Sequence, residues 1–430
     1  MSRRAVLGGT AALGVGLPLV GVGAGTAVAA PRLGGGQNAG STRAAVGFLQ
    51  GVIDAYRVSG PRMAQSYYDG SGLLDVGFTY DNALTTIALL DGGDVVRARA
   101  IGDALLLVQE ADGRLRQAYF VNRETPVVAA DPFGFTGTAV GDMAWAGVAL
   151  AQLARATGLR QYRDGAVKIG TWIYDNTYST TGLGGYTFGL TAGLEDHKST
   201  EHNIDVYALF RLLARLTRNP EWTERAEHAW DFVEALWNAA DGFFWTGSDD
   251  GSTINTKPTQ LPLDPQPWSW LAARDRRYAG ALDWAKTNLA TTDTPLRINS
   301  ELSGNYSVTG VTFSSGGLIA DVNAPIDPFH GKPDDGAVWF EGTSQMALAL
   351  NDRDRRGDRE DADRLLAAVR SAQGRLGVGQ TFGGKQIAGG IVAASSPLNT
   401  GFGFGYYQHL HIGATSWFVF ASLGENPYRF

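Results

Sequence analysis

The sequence predicts an all-α fold, an (α/α)6 toroid in which six inner helices alternate with six outer helices. Two observations carry this prediction. Six weakly charged helical segments recur roughly 60 to 73 residues apart, a spacing that fits one helix pair with its loops. Six charged amphipathic segments lie between them. Repeated helical hairpins bury their apolar faces by packing against their neighbours, so we expect them to close into a ring.

The inner helices are predicted from apolar residues at helical spacing behind an acidic, amide or aromatic start. Scarce charge in 139–153 and 344–350 indicates enclosure on both sides. The six starts are Asp81-Asn82-Ala83-Leu84, Gly141-Asp142-Met143-Ala144-Trp145, Glu201-His202-Asn203-Ile204-Asp205, Gln266-Pro267-Trp268-Ser269-Trp270, Trp339-Phe340-Glu341-Gly342-Thr343 and His411-Ile412-Gly413-Ala414-Thr415.

The outer helices are predicted from segments in which charged residues occupy one face. They run from Thr42 to Tyr56, Asp94 to Gln109, Gln161 to Tyr174, Glu221 to Trp237, Tyr278 to Leu289 and Arg356 to Gln373. Loops that mix glycine with aromatics, at 182–186, 241–245 and 401–405, favour tight turns and short β-hairpins. Such loops would carry aromatic rings onto one surface of the ring.

The first 30 residues are typical of a twin-arginine export signal, in which Arg3 and Arg4 precede a Gly-rich apolar run and Ala27-Val28-Ala29 offers a cleavage site. A transmembrane anchor is the alternative. We therefore predict a signal peptide at 1–30, a linker at 31–41 and a single catalytic toroid at 42–430. The mature protein would be secreted, monomeric and without a membrane partner.

Composition narrows the partners and the chemistry. Hydrophobic residues make up 44% of the chain and charged residues 18%, which is typical of a globular protein with a large core. The net charge is −7, and loss of the two signal arginines makes it −9, so nucleic acid is not an expected partner. The chain has no cysteine, which excludes disulfides and thiolate chemistry. Histidines without ligand spacing indicate no metal, and we expect no cofactor.

These features together resemble the six-hairpin glycosidase superfamily over most of the mature chain. The resemblance rests on the twelve-helix alternation, the Gly-aromatic loops and the acids that open inner helices; 198–203 and 339–343 look like signatures of a group within it. It implies a carbohydrate partner and a cleft where the inner helices begin. Hydrolases, lyases and epimerases share this scaffold, so the fold leaves the reaction open.

Glycoside hydrolysis usually needs two carboxyl groups, one protonated and one ionised. The candidates at inner-helix starts are Glu201, Glu341, Asp142 and Asp81. Each acid could instead cap its helix or respond to the helix dipole. Ring geometry makes Asp142 and Glu341 a facing pair, and Glu201 with Glu341 is the alternative pair.

Glu341 is preceded by Trp339 and Phe340, and an apolar collar of this kind raises a carboxyl pKa as a general acid requires. Glu201 opens a helix that is otherwise apolar, next to His202. Asp205 lies four residues further, on the same face, where it could support Glu201.

Aromatic rings can cover the apolar faces of pyranoses while polar groups bind the hydroxyls. The predicted substrate-binding residues are Tyr80, Asp205, His202, Tyr186, Trp268, Trp270, Trp339 and His411. Any single aromatic among them could equally be core.

Three alternatives to a hydrolase stay open. Five histidines on the presumed active face, His197, His202, His330, His409 and His411, would suit a sugar epimerase. A polysaccharide lyase would need a base, such as a histidine near Tyr406 or Tyr407. However, uronic acids need counter-charges, and no arginine cluster occurs at the inner-helix starts. A non-catalytic carbohydrate-binding protein would keep the aromatic cleft without needing both acids.

Overall fold

The computed structural model describes residues 37–130, 135–327 and 331–430. Its α-helices are α1 (Gln37–Ile53), α2 (Thr79–Asp91), α3 (Val95–Val108), α4 (Val140–Thr157), α5 (Arg160–Thr177), α6 (Thr200–Thr217), α7 (Glu221–Ala235), α8 (Pro265–Ala273), α9 (Gly280–Asn288), α10 (Phe340–Arg353), α11 (Asp358–Gln373) and α12 (Ile412–Leu423). Two 3-10 turns lie at Arg276–Tyr278 and Gly317–Ile319.

The even-numbered helices form the inner ring. Each packs against the next, from α2 through α4, α6, α8 and α10 to α12, and α12 returns to pack against α2. The odd-numbered helices pack outside, α3, α5, α7, α9 and α11 each on the inner helix that precedes it and α1 on α12. The predicted (α/α)6 toroid, with its assignment of inner and outer helices, is confirmed.

Helix boundaries follow local signals. The Ser199 hydroxyl accepts a hydrogen bond from the backbone N–H of His202 and so caps α6. Asp94 caps α3 in the same way through Arg97 N–H. Helix α4 ends at Gly158, whose φ of 71° is the left-handed conformation that glycine adopts without penalty.

The strands are short. They are β1 (Val76–Phe78), β2 (Ala118–Phe120), β3 (Val127–Val128), β4 (Thr138–Ala139), β5 (Gly189–Leu190), β6 (Lys198–Ser199), β7 (Trp237–Asn238), β8 (Phe243–Phe244), β9 (Gly247–Ser248), β10 (Ala290–Asp293), β11 (Val308–Val311), β12 (Thr381–Phe382), β13 (Lys385–Gln386), β14 (Ile391–Val392), β15 (Leu398–Asn399), β16 (Gly405–Tyr406) and β17 (Leu410–His411). All pairings between them are antiparallel: β1-β2-β3, β4-β5, β6-β9, β7-β8, β10-β11, β12-β13, β14-β17 and β15-β16.

Strands hold the first turns of the inner helices in place. Helices α2, α4, α6 and α12 each follow directly on a paired strand, β1, β4, β6 and β17. In the β6-β9 pair Ser199 lies opposite Gly247, where a side chain could not fit because a Cβ would lie 2.1 Å from the Lys198 carbonyl oxygen. The strand pairs therefore gather the inner-helix starts at one end of the ring.

Aromatic side chains fill the interior of the ring. Trp268 and Trp417 stack with centroids 5.8 Å apart, and Trp145 packs edge-on to both. Tyr428, near the carboxyl terminus, adds its ring 4.7 Å from that of Trp145. The ring is thus a packed core, with its polar groups concentrated at one end.

Three sequence-based boundaries need comment. Helix α8 begins at Pro265, one residue before the predicted start, because proline suits the first helical position. Helix α1 begins at Gln37, so residues 37–41 of the predicted linker are helical. The predicted signal peptide at 1–30 lies outside the described residues. Within the described ranges, no helix combines the length and the apolar character that a membrane span requires.

Candidate active site

A cavity of about 850 Å³ opens at the end of the ring where the inner helices begin. Its lining is rich in carboxyl groups and aromatic rings. It comprises residues 80, 141, 142, 145, 188, 194, 197–199, 201, 202, 205, 246–249, 255, 257, 260, 262, 264, 268, 313, 339, 341, 401–404 and 406. The predicted position of the cleft therefore agrees with the structure.

Glu341 is held by a tyrosine hydroxyl. Its Oε1 accepts a 2.6 Å hydrogen bond from the Tyr80 hydroxyl, which in turn accepts one from the Trp417 indole N–H at 2.9 Å. Oε2 is buried, has no hydrogen-bond partner, and lies 3.7 Å from Nδ1 of His411. Burial raises the pKa of Glu341 to about 7, while His411 and the Tyr80 hydrogen bond act in the opposite direction. The rise in pKa agrees with the apolar collar seen in the sequence, whereas the charge of His411 and the Tyr80 hydrogen bond favour the ionised form.

Asp81 and His411 stand behind Glu341 and do not line the cavity. His411 Nε2 lies 3.1 Å from Asp81 Oδ2, and the Tyr67 ring stacks on the imidazole at 4.2 Å. Burial lowers the pKa of His411, but the carboxylates of Asp81 and Glu341 outweigh it and raise the pKa overall. The predicted roles, catalytic for Asp81 and substrate-binding for His411, would therefore be exerted through Glu341, because neither side chain lines the cavity itself.

Glu201 differs from Glu341 in its surroundings. It lines the cavity, is only partly buried, and makes no side-chain hydrogen bond within the described part of the chain. Burial, and then the negative charge of Glu341, raise the pKa of Glu201 to about 7. A carboxyl group without donors is the one that retains a proton most readily.

Asp142 couples to different neighbours. Burial raises its pKa to about 8, followed by the charges of Asp81 and Glu201, while a hydrogen bond with Gln117 lowers it. Glu341 acts on Glu201 but is not among the groups that act on Asp142. Glu201 and Glu341 therefore influence each other electrostatically, as the alternative pair would require.

Sequence reasoning missed Asp264, which lines the cavity directly before α8. Burial raises its pKa well above the usual range, and the charges of Glu201 and Glu341 add to the rise. A signal was available, because Pro265 marks the first helical position and the acid stands immediately before it. Tyr406, which lines the cavity and stacks on Trp339 at 5.7 Å, was proposed only for a lyase.

Asp205 lines the cavity from the α6 face that also carries Glu201. Its Oδ1 accepts a 2.7 Å hydrogen bond from the Tyr428 hydroxyl, a contact that brings the carboxyl-terminal tail into the ring. Burial raises the pKa of Asp205 well above its usual range, with the charge of Glu201 next in importance.

Buried donors without protein acceptors surround the carboxyl groups. The indole N–H groups of Trp145, Trp268 and Trp339 have no hydrogen-bond partner, and all three residues line the cavity. His202 also lines it, with Nδ1 unpartnered and its pKa lowered by burial to about 4, so the imidazole is neutral at pH 7. Such groups suit a ligand that carries hydroxyls.

Two predicted substrate contacts lie elsewhere. Tyr186 is buried in the core against Phe210, and its hydroxyl donates to the Arg225 carbonyl. The Trp270 indole donates to Asp352 at 2.9 Å, away from the cavity lining. Trp270 follows Trp268 by two residues, which places it on another face of a helix. These two placements correct the predicted site, whereas Tyr80, His202, Trp268 and Trp339 do line the cavity.

The other histidines are dispersed. His197 lines the cavity, His409 packs against Tyr68 outside it, and His330 lies outside the described residues. Over the ranges that the structure describes, no group of three or more histidine, cysteine or acidic residues is arranged to hold a metal ion. No arginine is among the lining residues.

Comparison with known proteins agrees with this architecture. No family model matches the chain, and no curated protein sequence is significantly similar to it. Solved structures do match. A glycosidase variant in complex with glucose superimposes with a TM-score of 0.60 at 13% identity, over 91% of this chain and 99% of that one. The chain has the fold of a six-hairpin glycosidase.

Two further glycosidase structures support this. A glycoside hydrolase family 76 mannosidase from Bacteroides thetaiotaomicron gives a TM-score of 0.54 at 12% identity, over 90% of this chain and 98% of its own. An inactive α-1,6-mannanase variant from Salegentibacter, in complex with α-1,6-mannotriose, gives a TM-score of 0.53 at 12% identity, over 90% of this chain and 100% of its own. The resemblance to the six-hairpin glycosidases is thus confirmed for the fold.

Proposed function

We propose that the protein is a glycoside hydrolase in which Glu201 and Glu341 act as the carboxyl pair. The observation that carries the proposal is the contrast between them. Both face one cavity and each has a pKa near 7, yet Glu341 accepts a hydrogen bond from a phenol and lies beside an imidazole, while Glu201 has no donor among the described residues. Two carboxyl groups whose environments differ in this way can hold opposite protonation states.

In this mechanism Glu201 is the general acid. It retains its proton because burial and the nearby Glu341 charge disfavour the carboxylate, and it donates that proton to the glycosidic oxygen as the bond breaks. This assignment reverses the sequence-based expectation that Glu341 is the acid. Burial among apolar residues does raise the pKa of Glu341. However, Tyr80 and His411 stabilise the carboxylate and so oppose that rise.

Glu341 is then the ionised partner. The Tyr80 hydrogen bond to Oε1 holds the carboxylate, which acts on the anomeric carbon or on the attacking water. Asp81 orients His411 and raises its pKa, and protonation of His411 would place a positive charge beside the Glu341 carboxylate. Tyr80 remains a donor because burial and the Glu341 charge raise the phenol pKa well above its usual range.

The lining favours a neutral sugar. Five carboxyl groups at the inner-helix starts line the cavity, and no arginine is among the lining residues. Both lining lysines make hydrogen bonds within the protein. Lys198 donates to the Thr181 carbonyl, and Lys257 pairs with Asp249. Among the lining lysines and arginines, polyuronates would meet only Lys198 as a positive charge without a carboxylate partner, which disfavours the lyase alternative. Glucose and α-1,6-mannotriose, the ligands of two structural neighbours, are both neutral.

The epimerase alternative is weakened because His202 has a lowered pKa and His411 reaches the cavity only through Glu341. We also propose that the protein is exported through the twin-arginine pathway and cleaved near residue 30. This part of the proposal rests on Arg3, Arg4 and the small residues at 27–29. The mature protein would then act as a secreted monomer with a single catalytic domain.

The test is to incubate the purified mature protein with neutral and uronic polysaccharides, reading both reducing ends and the absorbance of unsaturated products. New reducing ends without that absorbance support hydrolysis, and reducing ends with it identify a lyase. Glu201→Gln and Glu341→Gln should each fold and lose most turnover. Retained turnover in either variant would remove that residue from the pair, and binding without turnover in the unmodified protein would indicate a carbohydrate-binding protein.

A further inference from the structure

Two phenylalanines at the rim of the cavity remain solvent-exposed. Phe402 is 37% exposed and Phe404 is 45% exposed, and both line the cavity. Among the described large apolar residues with comparable or greater exposure, these two alone belong to the cavity lining. Large apolar rings held in water at the mouth of a cleft are a common mark of a binding surface.

The loop that carries these rings is well ordered. It connects β15 and β16, and the Phe404 carbonyl accepts hydrogen bonds from both the backbone N–H and the hydroxyl of Thr400. Gly401 and Gly403 have φ values of 80° and 87°, which side-chain-bearing residues rarely adopt. The rings are therefore presented by a fixed turn, so little ordering entropy is lost on binding.

The rings also continue an aromatic surface that starts beside the carboxyl pair. Trp339, two residues before Glu341, stacks on Tyr406 at 5.7 Å. Tyr406 contacts Phe404 at 5.8 Å, and Phe313 contacts both loop rings at 5.9 and 6.0 Å. This row of rings leads from the buried carboxyl groups to the solvent.

Polar groups stand in the same mouth. Asp249, Asn255, Lys257 and Gln260 line the cavity and are joined to one another by hydrogen bonds. A pyranose ring needs both elements, an apolar surface for its face and polar groups for its hydroxyls. The outer cavity supplies both at a distance from the carboxyl pair.

We propose that Phe402 and Phe404 form a distal sugar subsite, which binds a neutral pyranose unit of the polysaccharide that is not attached to the cleaved bond. This inference rests on the proposed function for the identity of the ligand, but it concerns binding and not turnover. An enzyme with such a subsite acts on chains that are longer than the shortest cleavable unit.

The test measures polysaccharide binding in the Glu341→Gln background, so that the probes stay intact. If Glu341→Gln does not fold, Glu201→Gln is used as the background instead. The probes are α-1,6-mannan, dextran, β-1,3-glucan, xylan and β-1,4-galactan in affinity electrophoresis. The double variant Phe402→Ala/Phe404→Ala should bind the retained polysaccharide about tenfold more weakly, since two stacking contacts are lost. Phe402→Tyr/Phe404→Trp, which keeps both rings, should restore binding.

Tyr178→Ala is the matched control, because Tyr178 is 43% exposed but does not line the cavity. Its binding should equal that of the parent. Short oligosaccharides of the retained polymer should bind all variants alike, with the deficit confined to longer ones. Equal retardation of the double alanine variant and the parent would overturn the subsite, as would failure of the parent to bind any probe.

The outcome is separable from the proposed function. If the unmodified protein binds a probe through the two rings but releases no reducing ends from any polysaccharide, the subsite stands and the hydrolase proposal fails. If reducing ends appear and the double alanine variant binds normally, the hydrolase stands and the subsite fails.

Discussion

The hydroxyl of Tyr80 on α2 donates a 2.6 Å hydrogen bond to Oε1 of Glu341 on α10. The two residues are 261 positions apart, and α12 lies between their helices in the ring, contributing the Trp417 indole that holds the phenol. This contact favours the ionised form of Glu341 in the proposed pair, because a donated hydrogen bond stabilises the carboxylate.

Tyr80→Phe should raise the pKa of Glu341, since the variant loses the hydrogen bond that lowers it. The acidic limb of the kcat/KM profile should move to higher pH. At pH values below the pKa of Glu341, kcat/KM of the variant should be about tenfold lower than that of the parent. A tenfold loss corresponds to the free energy of one hydrogen bond. The measurement is a pH profile on the substrate found by the polysaccharide screen. Tyr207→Phe, outside the cavity lining, is the control; an unshifted acidic limb in Tyr80→Phe would refute this role.

Asp81→Asn should lower kcat and leave KM nearly unchanged, because Asp81 touches the cavity only through His411 and Glu341. Loss of the carboxylate removes a charge that raises the pKa of His411. The variant also removes the Asp81 charge, which by itself raises the pKa of Glu341. Because the effect of His411 on Glu341 is the larger of the two, a neutral His411 should move the acidic limb to higher pH. Steady-state kinetics across pH provide the check. A rise in KM with unchanged kcat would instead make Asp81 a substrate ligand.

Activity should decline as pH rises through about 7, because Glu201 then loses the proton that it donates. The apparent value belongs to the coupled pair, since Glu341 raises the pKa of Glu201. Glu341→Gln removes that charge, so the residual activity of this variant should decline at a lower pH. A decline at an unchanged or higher pH would show that another group is the acid.

Stability should fall as pH rises from about 4.5 to 8. Glu201 and Glu341 have native pKa values near 7, and Asp142 near 8, whereas the unfolded chain has ordinary values of 4.5 and 3.8. Between these limits the native state binds more protons than the unfolded state, so raising the pH favours unfolding. Thermal melts across this range should show a falling Tm. In Asp142→Asn the slope should be smaller, and a Tm that rises with pH would contradict the raised values.

Tyr428→Phe should destabilise the fold by about 1 to 3 kcal/mol, because Asp205 loses its donor while the ring packing is kept. Tyr428→Ala should cost more, about 3 to 5 kcal/mol, since the ring that packs on Trp145 is also lost. Urea unfolding of both variants gives the two values. Equal costs would mean that the ring packing contributes nothing and that the hydrogen bond explains the whole effect.

Prediction from sequence succeeded where a signal is local and repeated. Scarce charge predicts the inner helices, and a polar face predicts the outer helices. All twelve predicted segments coincide with helices. The loop at 401–405 forms the turn between β15 and β16, and that at 241–245 contains β8 of another hairpin. Where a helix start depended on one proline, at α8, the boundary moved by one residue and Asp264 was missed.

The site was predicted less completely. Glu201, Glu341, Asp142 and Asp205 do line one cavity, because ring closure brings the first turns of the inner helices together. Tyr186 and Trp270 show why the aromatic contacts failed: proximity to a helix start does not specify which way a ring points, and these two rings point into the core or toward Asp352.

The sequence alone thus determined the toroid and the end at which the acids gather, since periodicity and composition are properties of each segment. Only the tertiary structure decided how the acids differ. Glu341 acquires a hydrogen-bond donor from α2 and a neighbouring imidazole at the start of α12, and Glu201 acquires neither among the described residues, although both stand at the start of an inner helix. A carboxyl pKa depends on burial and on neighbouring charges, and those neighbours are distant in sequence until the ring closes.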